Sequence, residues 1–185
     1  MEFVFVSGNL ALDLLGTLKW RRTEPQEGLR TPGDAARWAV EAGLVTARPK
    51  LTATDVESLR ALRESIYRLV MAMWDRTPMP RADQVALNTA AAGPRVLTTL
   101  VGLDARRTAT AAALEAEVAA AAIRLIADVN AGRGPRMQEC ERQDCTRLFL
   151  DRSRGRTRTW CGMGECGNRV KAAGYRARKA AVQGS

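Results

Sequence analysis

Histidine is absent from this chain of 185 residues. Its absence removes every mechanism that needs an imidazole base, every mixed cysteine–histidine metal site and the usual zinc-hydrolase ligand sets. Cysteine is scarce, with four residues that all fall between positions 140 and 166. Aromatic residues make up only 5% of the chain. No apolar run approaches the ~20 residues of a membrane span. No apolar signal segment opens the sequence, so the expectation is a protein kept in a reducing cytoplasm, where disulfides are rare. Neither a glycine-rich phosphate loop before a helix nor a repeat of solenoid length is found. What remains is ordinary for a folded protein: the hydrophobic share is 46%, so disorder is not the default.

The four cysteines form two pairs, Cys140 with Cys145 and Cys161 with Cys166. Each pair encloses four residues, and fifteen separate the pairs. Two thiol pairs split by about fifteen residues are the layout of a tetrahedral zinc site, in which each of two turns offers two thiolates. Iron is the chemical alternative, because four thiolates also suit iron–sulfur clusters. With every cysteine committed to one metal, no nucleophilic thiol is left. The chain is therefore read as a non-enzyme, although carboxylates, lysines, serines and tyrosines remain.

Charge is unevenly distributed. Residues 1–135 hold 17 Lys/Arg against 15 Asp/Glu, whereas residues 136–185 hold 12 against 5. A zinc ion with four thiolates lowers the second segment from +7 to about +5. That segment stays basic, and a polyanion is its natural partner. Arg152, Arg154, Arg156 and Arg158 recur at every second position. An extended segment would send all four to one side, facing phosphates. Beyond Cys166 a helix is expected to run towards Ala181. Val170, Ala173, Ala177 and Ala181 would dock on the knuckles, with Lys171, Tyr175, Arg178 and Lys179 on the opposite side. Arg169 and Arg176 join these as candidate nucleic-acid contacts. The start of this helix would bring the amides of Gly167 and Asn168 near the thiolates. Trp160 is expected to cover the metal site, with base stacking as its other role.

The remaining chain predicts a predominantly helical α+β protein. An N-terminal helical domain spans 1–130, a linker 131–135, and a small four-cysteine finger 136–185, built as knuckles and a hairpin followed by a helix. Glu2–Val6 is β-prone, and Leu10–Arg22 has helical periodicity. Thr31-Pro32-Gly33-Asp34 starts a helix that Gly43 stops, with Trp38 on its core side. Thr54-x-x-Glu57 is read as the capping box of a helix over Asp55–Arg76. A helix over 81–92, a strand over 96–103 and a helix over 108–130 follow. Nine of the fourteen residues 109–122 are alanine, which suits close helix packing within the domain or between subunits. Leu148-Phe149-Leu150 is expected to be the first arm of a hairpin between the cysteine pairs.

Several stretches resemble known families. Leu148-Phe149-Leu150-Asp151-x-Ser153-Arg154, Arg158-x-Trp160-Cys161 and Cys166-Gly167-Asn168-Arg169-x-Lys171 resemble the bacterial CGNR zinc fingers. Gly8-Asn9-Leu10-Ala11-Leu12-Asp13-Leu14-Leu15-Gly16-Thr17 resembles the "LDFxNT" opening of the ABATE domain, with Leu14 for the Phe and Gly16 for the Asn. Leu59-Arg60-x-Leu62-Arg63-Glu64 resembles that domain's "LRxLRE", and its arginines are expected on a plain amphipathic face. The resemblance implies a transcription regulator that binds DNA through the finger behind a regulatory or oligomerising domain. RNA binding, a protein-interaction module braced by zinc, and a thiol redox switch are the competing readings. A homodimer through the helical domain would strengthen a single weak finger. No membrane partner is expected, and no ligand of the N-terminal domain can be named.

Overall fold

The structure, a computed structural model, describes residues 2–155 and 157–183, with the side chains of 165, 173, 174, 177, 178 and 180–183 outside the description. Five helices build the core: α1 (Leu10–Leu15), α2 (Pro32–Glu41), α3 (Ala53–Trp74), α4 (Arg81–Ala91) and α5 (Ala111–Asn130). Three antiparallel two-stranded ribbons accompany them. They are β1 (Leu18–Lys19) with β2 (Gln26–Glu27), β3 (Leu97–Val101) with β4 (Asp104–Thr108), and β5 (Arg136–Glu139) with β6 (Leu148–Asp151). The basic helix α6 (Asn168–Gln183) closes the chain. The α+β, predominantly helical expectation holds.

Short α1 is the centre of the domain. Asn9 caps it through its side chain, and Ala11, Leu12, Leu14 and Leu15 are all buried against α3 and α5. The expected continuation to Arg22 fails. Thr17 bonds back to the Leu14 carbonyl at 2.7 Å, and Trp20 takes a left-handed φ of +53°, which no helix tolerates. The capping box of α2 forms at Thr31 and Asp34, and Gly43 turns the chain at φ +72°. For α3 the box lies two residues earlier than expected, at Thr52 and Asp55. The reciprocal bonds to an aspartate at the third helical position satisfy two orphan amides. Trp38 is fully buried, as expected. Alanines 113, 116, 119, 121 and 122 are buried within this domain, where their small size lets α5 approach α1, α3 and α4.

Two arginines depart from a plain amphipathic face. Arg63 is buried and donates to Glu27, Glu64 and Thr17, while Arg60 donates to the Leu29 carbonyl at 2.6 Å. Arg21 reaches the other side of Glu64 at 2.6 Å and lies over the Tyr67 ring. This network locks the β1–β2 ribbon onto α3.

The finger's hairpin differs from the expected one. Leu148–Leu150 is the second arm, and its partner β5 precedes the first cysteine, in register Met137↔Leu150 and Glu139↔Leu148. Alternation along β6 gives it two faces. Leu148 and Leu150, with Met137, join the helical core, whereas Phe149 faces the cysteines. The apolar core therefore runs across the 131–135 linker. Residues before α1 complete the seam: Leu150 donates its amide to the Ser7 carbonyl at 2.7 Å, and Arg147 donates to the Val4 carbonyl at 3.1 Å. The N-terminal β-prone run thus lies against the finger and forms no strand.

Candidate metal centre and basic face

Cys140 directly follows β5, with its amide bonded to the Arg147 carbonyl at 3.0 Å. A tight turn brings Cys145 back, its amide on the Arg142 carbonyl at 2.8 Å. On the other side, a π-helical turn over Met163–Gly167 carries Cys166. The Sγ atoms of Cys140, Cys145, Cys161 and Cys166 all lie within 4.8 Å of one another and are buried. Cys161 and Cys166 stand 3.5 Å apart, and Cys145 and Cys161 3.9 Å. A tetrahedral ion with metal–sulfur bonds of about 2.3 Å requires sulfur–sulfur edges of about 3.8 Å, so the donor set fits such an ion.

The electrostatics also call for a cation. Hydrogen bonds from the Cys145 and Cys161 thiols push Cys140 down to about 2. Sharing those bonds with Cys140 pushes Cys145 up to about 12 and raises Cys161. One thiolate therefore suppresses the ionisation of Cys145 and Cys161, and a positive ion between the sulfurs would relieve that suppression. Arg142 adds positive charge from outside, its Nη1 3.9 Å from Cys166 Sγ.

Phe149 is fully buried beneath the sulfurs, and Val6 and Trp160 pack on the same cluster. Trp160 thus covers the site, as expected. A Cβ on Gly167 would meet the Met163 Sδ at 2.7 Å and the Trp160 ring at 3.3 Å. Close approach of that ring explains the glycine better than an amide directed at the thiolates. The Gly167 amide instead goes to the Gly162 carbonyl, and the Asn168 amide to Met163.

Among the described residues the arginines do not line up in one row. Asp151 accepts from the amides of Ser153 at 2.8 Å and Arg158 at 3.0 Å, pinching 151–158 into a loop. The Ser153 hydrogen bonds, then the Arg158 amide, hold its carboxyl below the usual range. Gly155 turns that loop at φ +92°. Arg158 is consequently corrected from a phosphate contact to a clamp. Its guanidinium donates to the carbonyls of Val6, Trp160 and Cys161 and stacks on Phe149 at 4.4 Å. Arg152 and Arg154 are exposed, Arg152 donating to the Gly8 carbonyl at 3.2 Å. Arg156 lies outside the described residues.

On α6 the side chains of Arg169, Lys171, Tyr175, Arg176 and Lys179 are all exposed. Arg178 has its side chain outside the description, as do Ala173, Ala177 and Ala181. Val170 is exposed rather than docked on the knuckles, so the expected packing at that position is not formed. The main neighbour of α6 is the π turn that leads into it. Sequence reasoning missed Arg142 and Arg147, whose signal was a cation two residues after each cysteine of the first pair. It also missed Ser7 and Val6, whose carbonyls serve the finger from 140 or more positions away.

Residues 8–129 match the ABATE family, described as "putative stress-induced transcription regulator". Residues 136–179 match the CGNR zinc finger. No curated protein matches the chain. Among the described residues no helix is long and apolar enough to cross a membrane.

Proposed function

The chain belongs to the ABATE family and carries a CGNR zinc finger, and from that premise we propose that it is a regulator acting by binding duplex DNA through α6. The observation that carries this reading is α6 itself. It presents Arg169, Lys171, Tyr175, Arg176 and Lys179 to solvent while its first turn is joined to the metal centre. A helix anchored at one end and basic along its length fits a major groove, with arginine and lysine on phosphates and few base contacts. Zinc is the ion we assign to Cys140, Cys145, Cys161 and Cys166, and its role there is to hold the two turns together. Binding rather than catalysis is the proposed activity, since the thiols are committed to the metal and Arg158 to the backbone. Arg152 and Arg154 sit in a separate loop and extend the basic surface.

Purified protein is expected to carry one zinc per chain by elemental analysis and to be colourless. An absorbing, iron-loaded protein would refute the zinc assignment. Replacing Arg169, Lys171, Arg176 and Lys179 with alanine is expected to flatten the slope of log affinity against log salt by about 3.6, from about 0.9 per phosphate. Fluorescence anisotropy on duplex DNA, RNA and single-stranded DNA measures this. Tighter binding to RNA than to duplex DNA, or no salt-dependent binding to any of them, would overturn the reading.

A further inference from the structure

The β3–β4 hairpin exposes Leu97 at 60%, Leu100 at 79%, Val101 at 55% and Leu103 at 101% of their full area. A two-stranded ribbon with apolar residues outside is marginal alone, and an uncharged edge strand is a template for another strand. We propose that two copies of this chain pair β3 with β3 antiparallel about a two-fold axis at Thr99, forming a four-stranded sheet. The inference is independent of the nucleic-acid reading.

Hydrogen-bond alternation identifies the free edge. The amide of Arg107 donates to Thr46 Oγ1 at 3.1 Å, and its carbonyl accepts from the Thr46 amide at 3.0 Å. Arg107 therefore turns its backbone away from β3, and its register partner Thr98 does the same on the other side. Leu100, two residues on, repeats that orientation. Thr98 and Leu100 thus offer four backbone groups to an edge that no strand covers among the described residues.

These groups are self-complementary. In the two-fold arrangement Thr98 faces Leu100 of the second copy, and Leu100 faces Thr98. Each pair exchanges two backbone hydrogen bonds, and Thr99 meets its own equivalent. Leu97 then lies opposite Val101 on one face, an apolar cross-strand pair made twice.

Charge selects the same partner. The chain carries a net +9, yet no residue from Val96 to Leu103 is charged, so two copies approach there with least repulsion. The outer edge of β4 is engaged at Arg107 by Thr46 and carries Arg106 and Arg107, which repel a second copy. One usable edge closes the assembly at two chains, whereas two would give a fibre.

Light scattering on metal-loaded protein is expected to give twice the chain mass at tens of micromolar. Thr99→Arg places like charges opposite each other across the axis and is expected to restore the monomer mass with unchanged helical circular dichroism. Thr99→Cys is expected to form a disulfide-linked dimer joined at residue 99, identified by peptide mass spectrometry with wild type in parallel. Leu97→Cys is expected not to link, because its equivalents lie about 14 Å apart at 3.4 Å per residue. Monomeric wild type overturns the proposal, as does a dimer that Thr99→Cys fails to cross-link at residue 99. The cross-link decides the case if Thr99→Arg does not fold.

Discussion

Cys161→Ser is expected to empty the metal centre, unfold residues 140–167 and also lower the melting temperature of the helical domain by about 10 °C. The local loss follows from the donor set. Structural zinc contributes roughly 10–16 kcal/mol of binding free energy that a small finger cannot replace, and Phe149 packs on the cysteines, Val6, Trp160 and the Arg158 guanidinium, all of which depend on that site. The distant loss follows from the two faces of β6. Leu148, Leu150 and Met137 belong to the helical core, and each is worth roughly 1.5–3 kcal/mol when fully buried. Part of that burial is lost once Arg158 no longer ties the loop to Val6. At about 2–4 °C per kcal/mol for a chain of this size, a loss near 3 kcal/mol moves the transition by about 10 °C. Hydrogen exchange and a far-ultraviolet melt of wild type and variant measure both effects. A helical transition unmoved by the substitution would show that the hairpin holds without metal, and that the seam adds little.

The two cores predicted from the linker are thus joined through Met137, Leu148 and Leu150. Cysteine spacing announced the metal centre because thiols have little other reason to gather in two equal pairs. Helix starts were legible wherever proline or a capping threonine stood beside an acid, as at Thr31. Thr52 with Asp55 is an exception, because Thr54 and Glu57 offer the same spacing two residues later and only the backbone decides between them. Period two in the arginine row predicts an extended segment. Asp151 and Gly155 bend it, an outcome that depends on a carboxylate collecting amides from both ends of the loop. Strand β4 was hidden because Asp104-Ala105-Arg106-Arg107-Thr108 has no apolar alternation, which follows from its exposure on both faces. Residues that meet across the whole chain, such as Ser7 with Leu150, leave no local pattern at all.

Arg63→Ala is expected to cost about 3–5 kcal/mol at neutral pH, the usual penalty for removing one partner of a buried ion pair. Arg63 is 3% exposed and donates to Glu27 at 2.7 and 2.8 Å, to Glu64 at 2.7 Å and to Thr17 at 3.0 Å. Without it, Glu27 keeps Arg60 at 3.6 Å and Glu64 keeps Arg21, so both carboxylates stay charged but less well compensated. Burial by itself raises the two glutamates. The hydrogen bonds and charges of Arg63 with Arg60 at Glu27, and of Arg21 with Arg63 at Glu64, outweigh that and hold both below the usual range. A depressed carboxyl contributes stability that is present above its unfolded value of about 4.3. That contribution is lost as pH falls through the folded value. The gap between wild type and Arg63→Ala is therefore expected to be widest at pH 7 and to narrow as pH falls towards 3. Urea denaturation across that range reads the gap directly. A variant within 1 kcal/mol of wild type, or a gap independent of pH, would show that the network orders the β1–β2 ribbon without stabilising the fold.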